Sequence, residues 1–209
     1  MSTALLLVDI QNDFLPGGAL AVPDGDVVVP LANRLMPCFG HVVASQDWHP
    51  PGHLSFAAEH DGLEPFQVTE LDGLEQILWP VHCVQGSAGA SFASALDVAG
   101  IHQVVQKGTD KRIDSYSAFY DNGHRKATGL GRQLRERGID ALVVAGLAAD
   151  VCVKYTVLDA LAEGFATTLV IDATRGVDMQ AGDTDAAIAA MRDAGAETVD
   201  SQTLITSRE

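Results

Sequence analysis

Ala141-Leu142-Val143-Val144-Ala145-Gly146-Leu147 is followed by Ala148-Ala149-Asp150-Val151-Cys152, by a helical stretch that Gly164 stops, and by Thr167-Thr168-Leu169-Val170-Ile171. A short apolar run rich in β-branched residues suits a strand buried on both faces, and the amphipathic stretch between two such runs, Val151–Glu163, suits the connecting helix. The same alternation extends in both directions. Ala4–Val8, Val42–Ala44, Gln103–Gln106 and Glu197–Val199 read as further strands, and Val27–Phe39, Ala88–Val98, Leu130–Arg137 and Thr184–Ala194 as helices. Residues 48–86 are rich in Pro, Gly, His and Asp, show little periodicity and read as a functional loop. The pattern predicts a single three-layer α/β/α domain over residues 1–209 with a mostly parallel sheet. In such sheets ligands bind beyond the carboxyl ends of the strands.

Composition narrows the partners. Lys and Arg total 13 against 28 Asp and Glu, a formal net charge of −15, which repels phosphate backbones and anionic lipid surfaces, so neither nucleic acid nor membrane is an expected partner. Three cysteines, Cys38, Cys83 and Cys152, are too few and too scattered for a disulfide framework. With no basic n-region after Met1 and no long uncharged apolar segment, a cytoplasmic protein is expected.

Several chemistry-bearing residues fall where predicted strands end: Asp9 after the first, Asp47 and His49 after the second, Lys107 after the third and Cys152 after the fourth. Cys152 sits at a strand-to-helix turn, where unpaired amides and a nearby cation favour thiolate over thiol; the alternative is an inert buried cysteine. Asp9 and Lys107 make either a structural ion pair or a proton carrier with its cation. Asp47, His49 and His82 form an Asp/His/His set suited to Zn²⁺, Fe²⁺ or Mn²⁺, or are a loop cap and two surface histidines. His53 is a further ligand or a loop residue. Phe14, Trp79, Tyr116 and Phe119, aromatics in loops, are candidates for a flat pocket around a ring. His41, His60, His102, His124, Cys38 and Cys83 read as structural or surface residues.

Val8-Asp9-Ile10-Gln11-Asn12-Asp13-Phe14, Pro16-Gly17-Gly18-Ala19-Leu20, Ser45-Gln46-Asp47-Trp48-His49-Pro50, Trp79-Pro80-Val81-His82-Cys83-Val84, Lys107-Gly108 and Gly146–Cys152 together resemble the nicotinamidases, also called pyrazinamidases, of the isochorismatase-like cysteine hydrolases. The resemblance spans nearly the whole chain. It implies that Asp9, Lys107 and Cys152 form a catalytic triad and that the backbone amides of Ala148 and Cys152 form an oxyanion hole behind a cis peptide. It further implies that Asp47, His49 and His82 bind a divalent metal, usually zinc and sometimes iron or manganese, which holds the pyridine nitrogen of nicotinamide. Phe14, Trp79 and Tyr116 match the ring-holding positions. Hydrolysis of nicotinamide, and of pyrazinamide, through a cysteine thioester in NAD salvage is the implied activity. Alternatives are an isochorismatase or N-carbamoyl amidohydrolase, attack by a metal-bound hydroxide, or a non-catalytic relative. Ala148-Ala149-Asp150 replaces the Ala-Thr-Asp of many members and leaves Asp150 to cap the helix. Some members have a fourth protein ligand, but its identity varies and His53 stays outside the core set. The partner expected is a small aromatic amide, and a homo-oligomer is left open.

Overall fold

The computed structural model describes residues 2–208. In chain order its regular elements are β1 (Thr3–Val8), α1 (Val28–Leu35), β2 (Val42–Asp47), β3 (Val68–Leu71), β4 (Leu74–Ile77), β5 (Gln103–Lys107), α2 (Leu130–Glu136), β6 (Ala141–Leu147), α3 (Lys154–Ala162), β7 (Ala166–Arg175), α4 (Asp183–Asp193), β8 (Glu197–Val199) and α5 (Ser201–Thr206). Six strands form one sheet in the order β5-β2-β1-β6-β7-β8, and every neighbouring pair is parallel. Ala4, Leu5, Leu6, Leu7 and Val8 are all buried. Because successive side chains leave a strand on opposite sides, that unbroken burial means both faces of β1 are covered.

Helix α1 buries Val28, Val29, Ala32 and Leu35, a stripe at helical spacing. It packs with α5 over β6 and β7, while α3 and α4 pair with each other and α3 reaches β7. The predicted three-layer α/β architecture with a parallel sheet is therefore what the chain adopts. The chain steps outward from β1 to β2 and β5, returns to the middle as β6, and continues outward through β7 and β8. The direction reverses between β1 and β6, the crevice where open α/β sheets bind ligands.

The predicted helix over Ala88–Val98 is absent. Residues 88–93 lie alongside 10–13, and their backbone groups are used by that neighbour. Asp13 N donates to Gly89 O, Asn12 N to Ser91 O, and Ala93 N to Ile10 O. The Ala90 carbonyl accepts from the side-chain amides of both Gln11 and Gln46. Tertiary hydrogen bonds thus replace the intrahelical ones that the periodicity suggested. The long loop after β2 carries the antiparallel hairpin β3–β4, whose mixed, half-exposed faces gave no clear period. Between β6 and α3 the chain makes a wide turn, Ala149–Val153, before the α-helix proper begins at Lys154.

Candidate active site

The expected residues converge at the carboxyl ends of β1, β2, β5 and β6. Lys107 is the hub. Its Nζ lies 2.9 Å from Asp9 Oδ2, 3.1 Å from Asp47 Oδ1 and 3.5 Å from Cys152 Sγ, and donates to the Ser115 carbonyl at 2.9 Å. Asp9, Asp47 and Lys107 are all buried. Register explains the meeting of the lysine with Asp47, since the two residues are paired across β2 and β5. Burial works against the lysine's charge, but the Asp47 and Asp9 carboxylates hold its pKa well above the usual value.

Asp9 directly follows β1 with φ of 47°, a left-handed conformation unfavourable for most residues. Its Oδ1 accepts the Ser45 hydroxyl at 2.7 Å. Its Oδ2 faces the Lys107 ammonium at 2.9 Å. Burial raises the Asp9 pKa above the ordinary carboxylate range, against the pull of Lys107. Two opposing influences act on the Cys152 thiol. Burial raises that thiol well above its usual pKa, and the nearby Lys107 offsets only part of this.

Asp47 Oδ2 is approached by two imidazoles, His49 Nε2 at 3.0 Å and His82 Nε2 at 3.3 Å. In each ring Nδ1 faces a backbone carbonyl, Gly108 O at 3.0 Å and Pro80 O at 2.8 Å. A proton on Nδ1, donated to that carbonyl, leaves Nε2 as the ligating nitrogen, the second-sphere arrangement of metal-binding histidines. His49 Nε2 is buried without a well-directed hydrogen bond of its own. One carboxylate oxygen and two imidazole nitrogens therefore converge, and the residues fit a divalent ion with open positions. Burial disfavours the Asp47 charge, yet His49 and Lys107 hold that carboxyl well below its usual value. Burial lowers the His49 pKa, but Asp47 outweighs it and pushes the imidazole up to about 9.

Gly108 allows this packing. A Cβ there would lie 2.5 Å from His49 Cε1 and 3.0 Å from Asp47 Oδ1, and its φ of +64° disfavours any side chain. Gly146 plays the same part at the end of β6, with φ of +122° and a virtual Cβ only 2.1 Å from the Val8 carbonyl.

A cavity joins both groups, lined by Phe14, Asp47, Trp79, His82, Tyr116, Ala148 and Cys152 among others. Phe14, Trp79 and Tyr116 thus stand where a ring pocket was expected. Phe119 does not; it is buried against Phe165. The peptide between Leu147 and Ala148 is cis. Asp150 does not cap the helix. It lies within the turn, and its carboxylate accepts the amides of Val177 and Asp178 at 2.9 and 2.8 Å.

His53 lies closer to the site than a mere loop residue would, its ring 4.3 Å from that of His49. It forms a second possible ligand group with His49 and Asp114. Four further residues went unread in the sequence. Ser45 shares a strand face with Asp47 at a spacing of two, a signal that pointed to it. Gln11 binds both the amide and the carbonyl of Asp47 at 2.8 Å. Asp114 lines the cavity. Gln76 of the hairpin donates to Asp114 Oδ2 at 3.2 Å and to the Tyr116 hydroxyl at 3.1 Å. Gln11 lies inside the quoted Val8–Phe14 motif, whereas no local pattern marks Asp114 or Gln76.

Comparison with known proteins identifies the family. Residues 3–203 match the model of the isochorismatase domain. The chain is 52% identical to the nicotinamidase of Escherichia coli (strain K12), over 92% of each chain. The solved structure of a nicotinamidase/pyrazinamidase from Acinetobacter baumanii superposes with a TM-score of 0.94 at 45% identity, covering 97% of this chain and 98% of that one. The pyrazinamidase of Pyrococcus horikoshii, solved in complex with zinc, gives a TM-score of 0.78 at 34% identity, covering 96% and 99%.

Proposed function

The chain belongs to the isochorismatase domain family, and from that premise we propose that it is an amidohydrolase converting nicotinamide, and pyrazinamide, to nicotinate or its analogue and ammonia. The observation that carries this reading is one buried ammonium, Lys107, within 3.5 Å of the Asp9 and Asp47 carboxylates and the Cys152 sulfur, beside an aromatic-walled cavity.

Asp9 Oδ2 takes the Cys152 proton as Sγ attacks the carboxamide carbon, forming the C–S bond. The amides of Ala148 and Cys152 donate to the oxyanion. Asp9 returns the proton to the departing nitrogen, the C–N bond breaks, and ammonia leaves behind a thioester. Asp9 then takes a proton from water as the water oxygen attacks the thioester carbon; the C–S bond breaks, Asp9 hands that proton to the departing sulfur to restore the thiol, and the acid leaves as nicotinate with its proton lost to solvent. Lys107 holds both carboxylates in place and is the cation beside the thiol, partly offsetting the effect of its burial. Asp47, His49 and His82 would hold the divalent ion, with zinc the first choice and iron or manganese the others; when bound it supplies a Lewis acid for the pyridine nitrogen. Phe14, Trp79 and Tyr116 flank the ring.

A neutral substrate needs no basic surface, which accords with the acidic charge. No helix among the described residues is long and apolar enough to cross a membrane. Free thiols at Cys38, Cys83 and Cys152 suit a reducing, cytoplasmic setting.

The test is ammonia release by purified, metal-loaded protein offered nicotinamide, pyrazinamide and N-carbamoyl amides, with acid-quench mass spectrometry. Turnover of the two aromatic amides and an acyl adduct on Cys152 are expected. Preference for a carbamoyl compound would replace this substrate with the runner-up. Rapid turnover by Cys152→Ala would overturn the covalent route, and no release from any compound would leave a non-catalytic relative.

A further inference from the structure

Asp150 is a carboxylate that the chemistry above does not use, two residues before the nucleophile. Its Oδ1 accepts the Val177 amide at 2.9 Å and its Oδ2 the Asp178 amide at 2.8 Å. Both belong to the loop between β7 and α4, and Val177 lines the cavity on whose wall Cys152 stands. The connection continues, because Asp178 Oδ1 accepts the Thr184 amide at 2.8 Å in the first turn of α4. At Gly176 a Cβ would sit 1.8 Å from Thr184 Oγ1 and 3.1 Å from Asp150 Oδ1, so the loop comes this close only because that residue has no side chain.

We propose that Asp150 is a positioning residue that ties the β7–α4 loop to the nucleophile turn, setting where the Val177 wall of the substrate cavity stands relative to Cys152. This rests on the nicotinamide-hydrolysis reading for its kinetic part. Two separate amides require two acceptors, and only a carboxylate supplies both. An asparagine keeps one acceptor and turns an NH₂ toward the second amide. A hydrogen bond to an ionised acceptor is among the stronger kind, so its loss should be visible in binding.

The experiment compares wild type, Asp150→Ala and Asp150→Asn as metal-loaded proteins. It reads steady-state kinetics on nicotinamide, and amide hydrogen exchange by NMR. Expected for the alanine variant is a KM about tenfold higher with kcat within about threefold, and a smaller KM rise for asparagine. Exchange at Val177 and Asp178 should accelerate while the β6 amides keep their protection. Unchanged KM and unchanged exchange would overturn the proposal. So would a parallel fall in kcat and in protection across the sheet, which would make the residue a general stabiliser. If wild type does not hydrolyse nicotinamide, the functional reading fails on its own, and the exchange data alone decide the positioning claim.

Discussion

Leu5, Leu6 and Leu7 in the middle of the sheet and Asp9, Asp47 and Lys107 at its carboxyl edge are alike in burial, none more than 3% exposed. What holds them differs. The leucines are held by removal from water, roughly 1.5–3 kcal/mol each, a non-directional effect that tolerates small shifts. The charged residues cost free energy to bury and persist because each meets partners at fixed distances: Lys107 with two carboxylates and a carbonyl, Asp9 with Ser45, Asp47 with Gln11. A packing error in the first region lowers stability, whereas a positional error in the second removes chemistry from a molecule that still folds.

The sharpest way to break that contrast is at the sulfur. Cys152→Ala should reduce turnover by on the order of 10⁴-fold or more, with circular dichroism and metal content per chain unchanged; a comparable loss of fold would erase the distinction. Next is Gly108→Ala, which forces a methyl into His49. Metal affinity, measured by titration against a competing chelator, should fall about 10–100-fold, as for other losses around metal ligands, and activity should recover in part at high metal. From the opposite side, Leu6→Ala should cost about 2–5 kcal/mol in denaturant unfolding, yet leave kcat per folded molecule within about threefold. If kcat collapsed with Leu6, the two regions would not be separable.

The smallest effect is a pH dependence. Asp9 must be ionised to accept the thiol proton, and its pKa is raised by burial. The kcat/KM profile should therefore fall about tenfold per pH unit on the acid side, with a midpoint above the ordinary value near ~3.9. Ser45→Ala removes a hydrogen bond that favours the charged carboxylate, so it should move that midpoint upward. A midpoint at or below the ordinary value would remove Asp9 from the role of base.

The same division explains what could be read from the sequence. Apolar runs such as Ala4–Val8 and Ala141–Leu147 announce their strands because burial depends on composition and period. The strand-end rule then brings Asp9, Asp47, Lys107 and Cys152 together without further information. Residues 88–98 carry a helical period, but 88–93 spend their hydrogen bonds on residues 10–13 and 46, and Ala95 and Asp97 theirs on Asn33, distant partners that no local window contains. Gln76 reaches Tyr116 only because a hairpin folds over the site. Asp150, with an acidic residue's usual place at a helix start, has its acceptors taken by a loop beyond the next strand. At Cys152 the turn and the cation are local and readable, but the completeness of its burial, which pushes the thiol up, depends on the whole fold.

The reversal of strand order at the centre of the sheet also bears on how the molecule assembles. Thr3–Val8 pairs with Ala141–Gly146, so the junction that brings Asp9 beside Cys152 joins the two most distant thirds of the chain. Contacts of that sequence separation close late and slowly, because loop entropy must be overcome first. A nascent or partly collapsed chain, even with β1, β2 and β5 in register, has its base and its lysine but no nucleophile. Recovery of activity on refolding should then trail the return of secondary structure and report on the closing of that central seam.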